Sequence, residues 1–157
     1  MGGLIGLRVL TRFADRVQRL ALGGVGETYL KGPRVSDPER RDLIAAALLT
    51  EDKDTITDAR ARMFRDFADQ PGKDRLALAA CIRAMAPPLP PTVLKTLSKP
   101  ILVVCGDQDI VAGAPEPLAA LFPHGTAVSV PGRDHMSAVG AGPTRAAVVD
   151  FLKPGSN

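Results

Sequence analysis

Ile101-Leu102-Val103-Val104-Cys105 is an unbroken apolar run, closed by Pro100 on one side and Gly106 on the other. Consecutive apolar residues rich in β-branched side chains leave no polar face, so a strand built from them must be covered on both sides. The middle of a parallel sheet flanked by helices meets that condition, whereas a half-solvated hairpin strand does not. Beyond this run, Pro115 to Phe122 reads as a helix and Thr126 to Val130 as a second strand. Residues 143–152 close the chain as a helix, with Pro143 suited to its first turn.

Ahead of the run, Leu4, Ile5, Leu7, Val9, Leu10 and Phe13 recur near helical spacing, which predicts an amphipathic helix over residues 3–14. Val17 to Leu22 is a short strand candidate, ended by Gly23-Gly24-Val25-Gly26. From Ser36 to about Ala86 the pattern is helical, opened by Ser36-Asp37-Pro38-Glu39, in which Ser36 caps and Glu39 reaches back. Three helices fit, with apolar stripes Leu43, Ile44, Ala47 and Leu48; then Ile56, Ala59, Met63 and Phe67; then Leu76, Ala79, Ala80, Ile82 and Met85. The proline-rich run from Ala86 to Pro91 cannot continue a helix and marks a boundary. This order of helix, strand, helical insertion, strand, helix, strand, helix predicts a three-layer α/β architecture.

Composition narrows the function classes. Twenty Lys plus Arg stand against seventeen Asp plus Glu and are scattered rather than blocked, and aromatics are 4% with no Trp. Neither a phosphate-tracking patch nor a base-stacking platform is built from such residues, so nucleic acid is not an expected partner. No apolar run reaches the roughly 18 residues of a membrane span, and the first ten residues lack a secretory signal, so the expected location is a reducing cytoplasm. Cys81 and Cys105, both in apolar surroundings, are expected to be buried small hydrophobes rather than a bridge. Two histidines and two separated cysteines offer no metal-ligand spacing, and no cofactor is implied. Gly23-Gly24-Val25-Gly26-Glu27-Thr28 is a post-strand turn rather than a phosphate loop, because Glu27 stands where a lysine is needed.

In open parallel sheets, ligands bind beyond the carboxyl ends of the strands. Two polar segments occupy that position, Gly106-Asp107-Gln108-Asp109 and Pro131-Gly132-Arg133-Asp134-His135-Met136. A carboxylate and an imidazole are therefore expected at the same end of adjacent strands. Asp107 and Asp134 also fit as turn residues that bond the local backbone, and His124, in Pro123-His124-Gly125, reads as a surface residue.

Lys99 through Asp109 resembles the acid-bearing strand of the α/β-hydrolases, and Gly132-Arg133-Asp134-His135-Met136 resembles their histidine loop. Their order, acid then histidine with a helix and a strand between, is the family's Ser, Asp, His chain order. The family's acid is usually the aspartate three positions past the glycine, which matches Asp109 rather than Asp107. Met1-Gly2-Gly3-Leu4-Ile5-Gly6-Leu7 resembles the family's nucleophile elbow with everything through the serine removed.

The resemblance implies a rear part of a parallel hydrolase sheet with a helical cap. Residues 1–26 are then the helix and strand after the elbow, 27–95 the cap, and 96–157 the core with the acid and histidine loops. It implies an ester-like small-molecule substrate for an intact parent, catalytic roles for Asp109 and His135, and the backbone of Met1 as oxyanion donor. Ser36, Ser98, Ser129, Ser137 and Ser156 do not sit in an elbow, so this chain alone is expected not to hydrolyse. A non-catalytic binding module is the alternative, with self-association through an exposed sheet edge at Val17 to Leu22.

Overall fold

The computed structural model describes residues 1–31 and 37–153. In chain order the elements are α1 (Gly2–Arg12), β1 (Leu20–Gly23), α2 (Pro38–Leu49), α3 (Ala59–Ala68), α4 (Arg75–Arg83), α5 (Pro91–Leu94), β2 (Ile101–Gly106), α6 (Glu116–Ala119), β3 (Gly125–Val130) and α7 (Gly142–Leu152). The described residues divide into two units, 1–31 with 88–153, and 37–87.

The first unit holds a parallel sheet in the order β1-β2-β3, with Leu20 opposite Ile101 and Ile101 opposite Gly125. β2 is the central strand, and all six of its residues are buried. Its side chains alternate between two cores. Ile101, Val103 and Cys105 pack with Leu7 and Leu10 of α1 and with Leu118 and Ala119 of α6. Leu102 and Val104 pack with Ala147, Val148 and Phe151 of α7. Helices therefore cover both faces, and the unit is a three-layer α/β structure, as the apolar run requires. Each fully buried side chain of β2 contributes about 1.5–3 kcal/mol, so a charge at Val103 would break the layer it shares with α1 and α6.

Element ends differ from the sequence expectations for local reasons. β1 starts at Leu20 rather than Val17 because Leu20 N–H donates to Pro100 O at 3.1 Å, and the preceding rung would need an N–H from Pro100 itself. α1 stops at Arg12, where Phe13 leaves helical geometry at φ −137°. The stretch expected to be helical from Pro115 tightens after Ala119 into three-residue turns, with Leu121 N–H on Leu118 O and Phe122 N–H on Ala119 O, both at 3.1 Å.

The second unit packs α2, α3 and α4 around Ile44, Ala45, Ala47, Leu48, Ala61, Ala68, Ala79 and Ile82. All three expected stripes shift. Leu43 and Leu76 are exposed, and α3 buries Ala61, Arg65 and Ala68 in place of Ala59, which faces solvent. The reason is Arg65, whose Nη1 donates to Ala47 O at 3.1 Å and Thr50 O at 2.6 Å while Nε donates to Asp69 at 2.8 Å. A guanidinium that satisfies the last carbonyls of α2 belongs inside despite its charge. Asp58 and Asp74 cap α3 and α4 through Ala61 N–H and Ala77 N–H. Ser36, the expected cap of α2, lies outside the described residues, and Asp37 stands at the N-cap. Cys81 is exposed, contrary to expectation, while Cys105 is buried. The helix at Cys81 turns that position away from the Ala79 and Ile82 face.

Candidate active site

β2 ends at Gly106, and the chain turns at once into Asp107-Gln108-Asp109. The side chain of Asp109 is fully buried, yet no buried side-chain nitrogen or oxygen among the described residues lacks a hydrogen-bond partner. Its Oδ1 accepts from Val111 N–H at 2.9 Å and Ala112 N–H at 2.8 Å, and its Oδ2 lies 2.9 Å from His135 Nδ1. Two backbone donors fix the carboxylate plane, and a carboxylate oxygen can only accept. A hydrogen bond to that carboxylate takes its proton from Nδ1, which leaves Nε2 as the ring nitrogen not engaged by Asp109.

β3 delivers His135 from a neighbouring loop. The two loops approach so closely that a Cβ on Gly106 would run into the carbonyl oxygen of Arg133. That carbonyl accepts from Gln108 N–H at 3.0 Å, and Asp107 N–H donates to Val130 O at 3.1 Å. Asp107 Oδ1 then accepts from Gly132 N–H at 2.7 Å, a contact that spans 25 residues rather than the local bond expected from sequence. Asp134 does act locally: its Oδ1 accepts from Ser137 N–H at 2.8 Å and from the Ser137 hydroxyl at 2.6 Å. The Ser137 hydroxyl bond, followed by the Ser137 N–H, holds the Asp134 carboxyl below the usual carboxylate range.

β1 supplies the third wall. Gly24 follows it at φ +65°, and a Cβ there would lie 3.0 Å from the imidazole Cε1 of His135. Reading Gly24 only as a post-strand turn missed this approach; a glycine directly after a strand beside the site was the available signal. Met1 is the N-cap of α1, its carbonyl accepting from Leu4 N–H at 2.9 Å and Ile5 N–H at 3.2 Å. A Cβ on Gly3 would meet Val25, the residue after Gly24, so the start of α1 reaches the same end of the sheet as the His135 ring. That end of α1 has no acidic residue in its first turn and presents the positive end of the helix dipole.

Other reactive groups take no part. Burial, followed by the nearby Asp109 charge, pushes the Cys105 thiol up to about 12, which keeps it protonated and inert as a nucleophile. Among the described residues there is no cluster of three His, Cys, Asp or Glu placed to hold a metal, and no helix long and apolar enough to cross a membrane. The arrangement can fix an imidazole in one tautomer and offer Nε2 to a proton beside it, which is general-base geometry.

No protein-family model matches the sequence, and no curated protein sequence matches it. Solved structures do match. The enol-lactonase from Burkholderia xenovorans LB400 is 26% identical with a TM-score of 0.69, over 97% of this chain and 62% of that one. A hydrolase from Pseudomonas aeruginosa PA01 is 24% identical with a TM-score of 0.68, over 98% of this chain and 62% of that one. A thermophilic esterase from Thermogutta terrifontis is 18% identical with a TM-score of 0.62, over 96% and 61%. The chain thus spans about three fifths of the length of the structures it resembles.

Proposed function

Because the chain has the fold of the α/β-hydrolases, we propose that it is the acid- and histidine-bearing part of a serine hydrolase that cleaves an ester or related acyl bond. The observation that carries the reading is the contact between buried Asp109 and His135 Nδ1 at 2.9 Å. In this mechanism Nε2 of His135 takes the hydroxyl proton of a serine as that oxygen attacks the acyl carbonyl, then returns it to the leaving oxygen as the C–O bond breaks. Water repeats the exchange and releases the acid. Asp109 holds the ring and stabilises the imidazolium. The N–H of Met1, at the start of α1, stabilises the oxyanion of the intact parent. An enol-lactonase and an esterase among the similar structures support an acyl–oxygen bond as the one cleaved.

The attacking serine is not supplied by the described residues. Ser137 already donates to Asp134, while Ser98 and Ser129 lie outside an elbow. On this reading it immediately precedes Met1 in the parent, and residues 1–157 alone do not hydrolyse. In-frame coding sequence ending in Gly-x-Ser before the Met1 codon, and a longer protein that cleaves p-nitrophenyl acetate and loses activity in His135→Ala, are the expected results. An in-frame stop there, or unchanged turnover in His135→Ala, overturns it.

A second reading, a self-associating binding module, draws on the edge. β1 has no strand on its outer side among the described residues, and α1 beside it exposes Ile5 and Val9, followed by exposed Phe13 at its end. Backbone groups on such an edge pair readily with another copy.

A further inference from the structure

Asp107 is exposed, lies two residues from Asp109 and takes no part in the proton transfer set out above, yet it makes the longest-range carboxylate contact of the two loops besides the Asp109–His135 pair itself. Its carboxylate reaches the N–H of Gly132, which sits at φ +66° in the first turn of the histidine loop. Its own N–H is bonded to Val130 O, the last carbonyl of β3. One residue of the acid loop therefore grips the histidine loop on both sides of Pro131.

We propose that Asp107 is a positioning residue for His135: it sets where the histidine loop leaves β3 and so keeps Nδ1 in line with Asp109. The proposal rests on the acid and histidine reading of that pair. The remaining restraints on the loop make this contact decisive. Downstream, Asp134 closes turns onto residues 136, 137 and 138, which stiffens the loop without fixing it to the acid strand. Upstream, Gly132 occupies open space, with no atom within 4 Å of where a Cβ would stand, so packing does not hold the turn. Gln108 N–H on Arg133 O, with Gly106 packed against that carbonyl, is the other tie between the loops, and it acts one residue after Gly132. A carboxylate that accepts from Gly132 N–H orients the Pro131–Gly132 peptide plane where the turn begins, and an imidazole three residues on follows.

The test uses the chain as it exists and reads the Nδ1 proton of His135 by NMR, because a hydrogen-bonded ring proton is shielded from exchange and a misplaced one is not. Wild type is expected to show it. Asp107→Ala is expected to lose or broaden it at least several-fold while circular dichroism and the His124 signals stay native. Asp107→Asn, which keeps an oxygen for Gly132 N–H, is expected to restore it. A purely structural turn residue would lower Tm in Asp107→Ala and leave the proton signal sharp, and that result overturns the proposal. Should Asp107→Ala fail to fold, Gly132→Ala reads the same turn with Asp107 intact: loss of the signal supports positioning, an unchanged one overturns it. A wild-type chain without the proton signal instead sinks the Asp109–His135 pair, so the two failures are distinguishable.

Discussion

The sheet unit and the helical unit use polar residues in opposite ways. In residues 37–87 the charged side chains serve helix ends: Asp58 caps Ala61, Asp74 caps Ala77, Arg65 binds Asp69 and the end of α2, and Arg41 donates to Arg83 O and Met85 O at the end of α4. Even the concavity of about 660 Å³ lined by Arg65, Asp69, Lys73 and Arg75 is framed by groups already engaged, with Lys73 over the Phe67 ring. In the sheet unit two carboxylate contacts, 25 and 26 residues apart, tie the acid loop to the histidine loop, and the second of them ends on the imidazole. Polar bonds to helix ends stabilise helices, whereas bonds between strand-end loops position a reacting group. Chemistry is therefore expected from the second kind alone.

The strongest way to break this contrast is Asp109→Asn in the longer, serine-bearing protein. An amide at Oδ2 presents the wrong group to Nδ1, and kcat is expected to fall by about 10⁴-fold with little change in KM, read by ester hydrolysis. Arg65→Ala comes next, with a loss of about 3 kcal/mol in urea unfolding, because it strips the carbonyls of Ala47 and Thr50 inside a packed unit. Its His135 signals are expected to stay unchanged; a shift would join the two kinds of contact that the contrast separates.

Much of this contrast was legible in the sequence. The apolar run at Ile101 forced a covered central strand, and the polar segments after two parallel strands brought Asp109 and His135 together. Arg65 hid the true face of α3, because periodicity counts a guanidinium as polar while its hydrogen bonds put it inside. The reach of Asp107 to Gly132 and the approach of Gly24 to the His135 ring were invisible for a related reason: both depend on how closely two loops pass, which no local pattern encodes.

Two smaller effects sharpen the boundary. Gly24→Ala forces a side chain onto a φ of +65° and against the imidazole, for a cost of about 1–2 kcal/mol by thermal unfolding together with a displaced His135 signal. Asp58→Ala removes a cap and is expected to cost about 1 kcal/mol without touching His135. The Ala61 N–H bond, aided by Arg40, holds the Asp58 carboxyl below its ordinary 3.8. Its folded value lies below the unfolded one, so the stabilisation is fully present above about 3.8 and is lost as pH falls through the folded value. Acid unfolding of Asp58→Ala should accordingly lack that part of the pH dependence.

The central claim, that buried Asp109 fixes His135 for proton transfer, is tested most directly by the ring tautomer of His135 in the 157-residue chain, measured by ¹⁵N NMR at neutral pH with His124 as the internal comparison. The account predicts a proton held on Nδ1 and a bare Nε2 for His135, lost in Asp109→Ala, while His124 shows ordinary tautomer exchange. A proton on Nε2 of His135, or a ring that averages as His124 does, would contradict it.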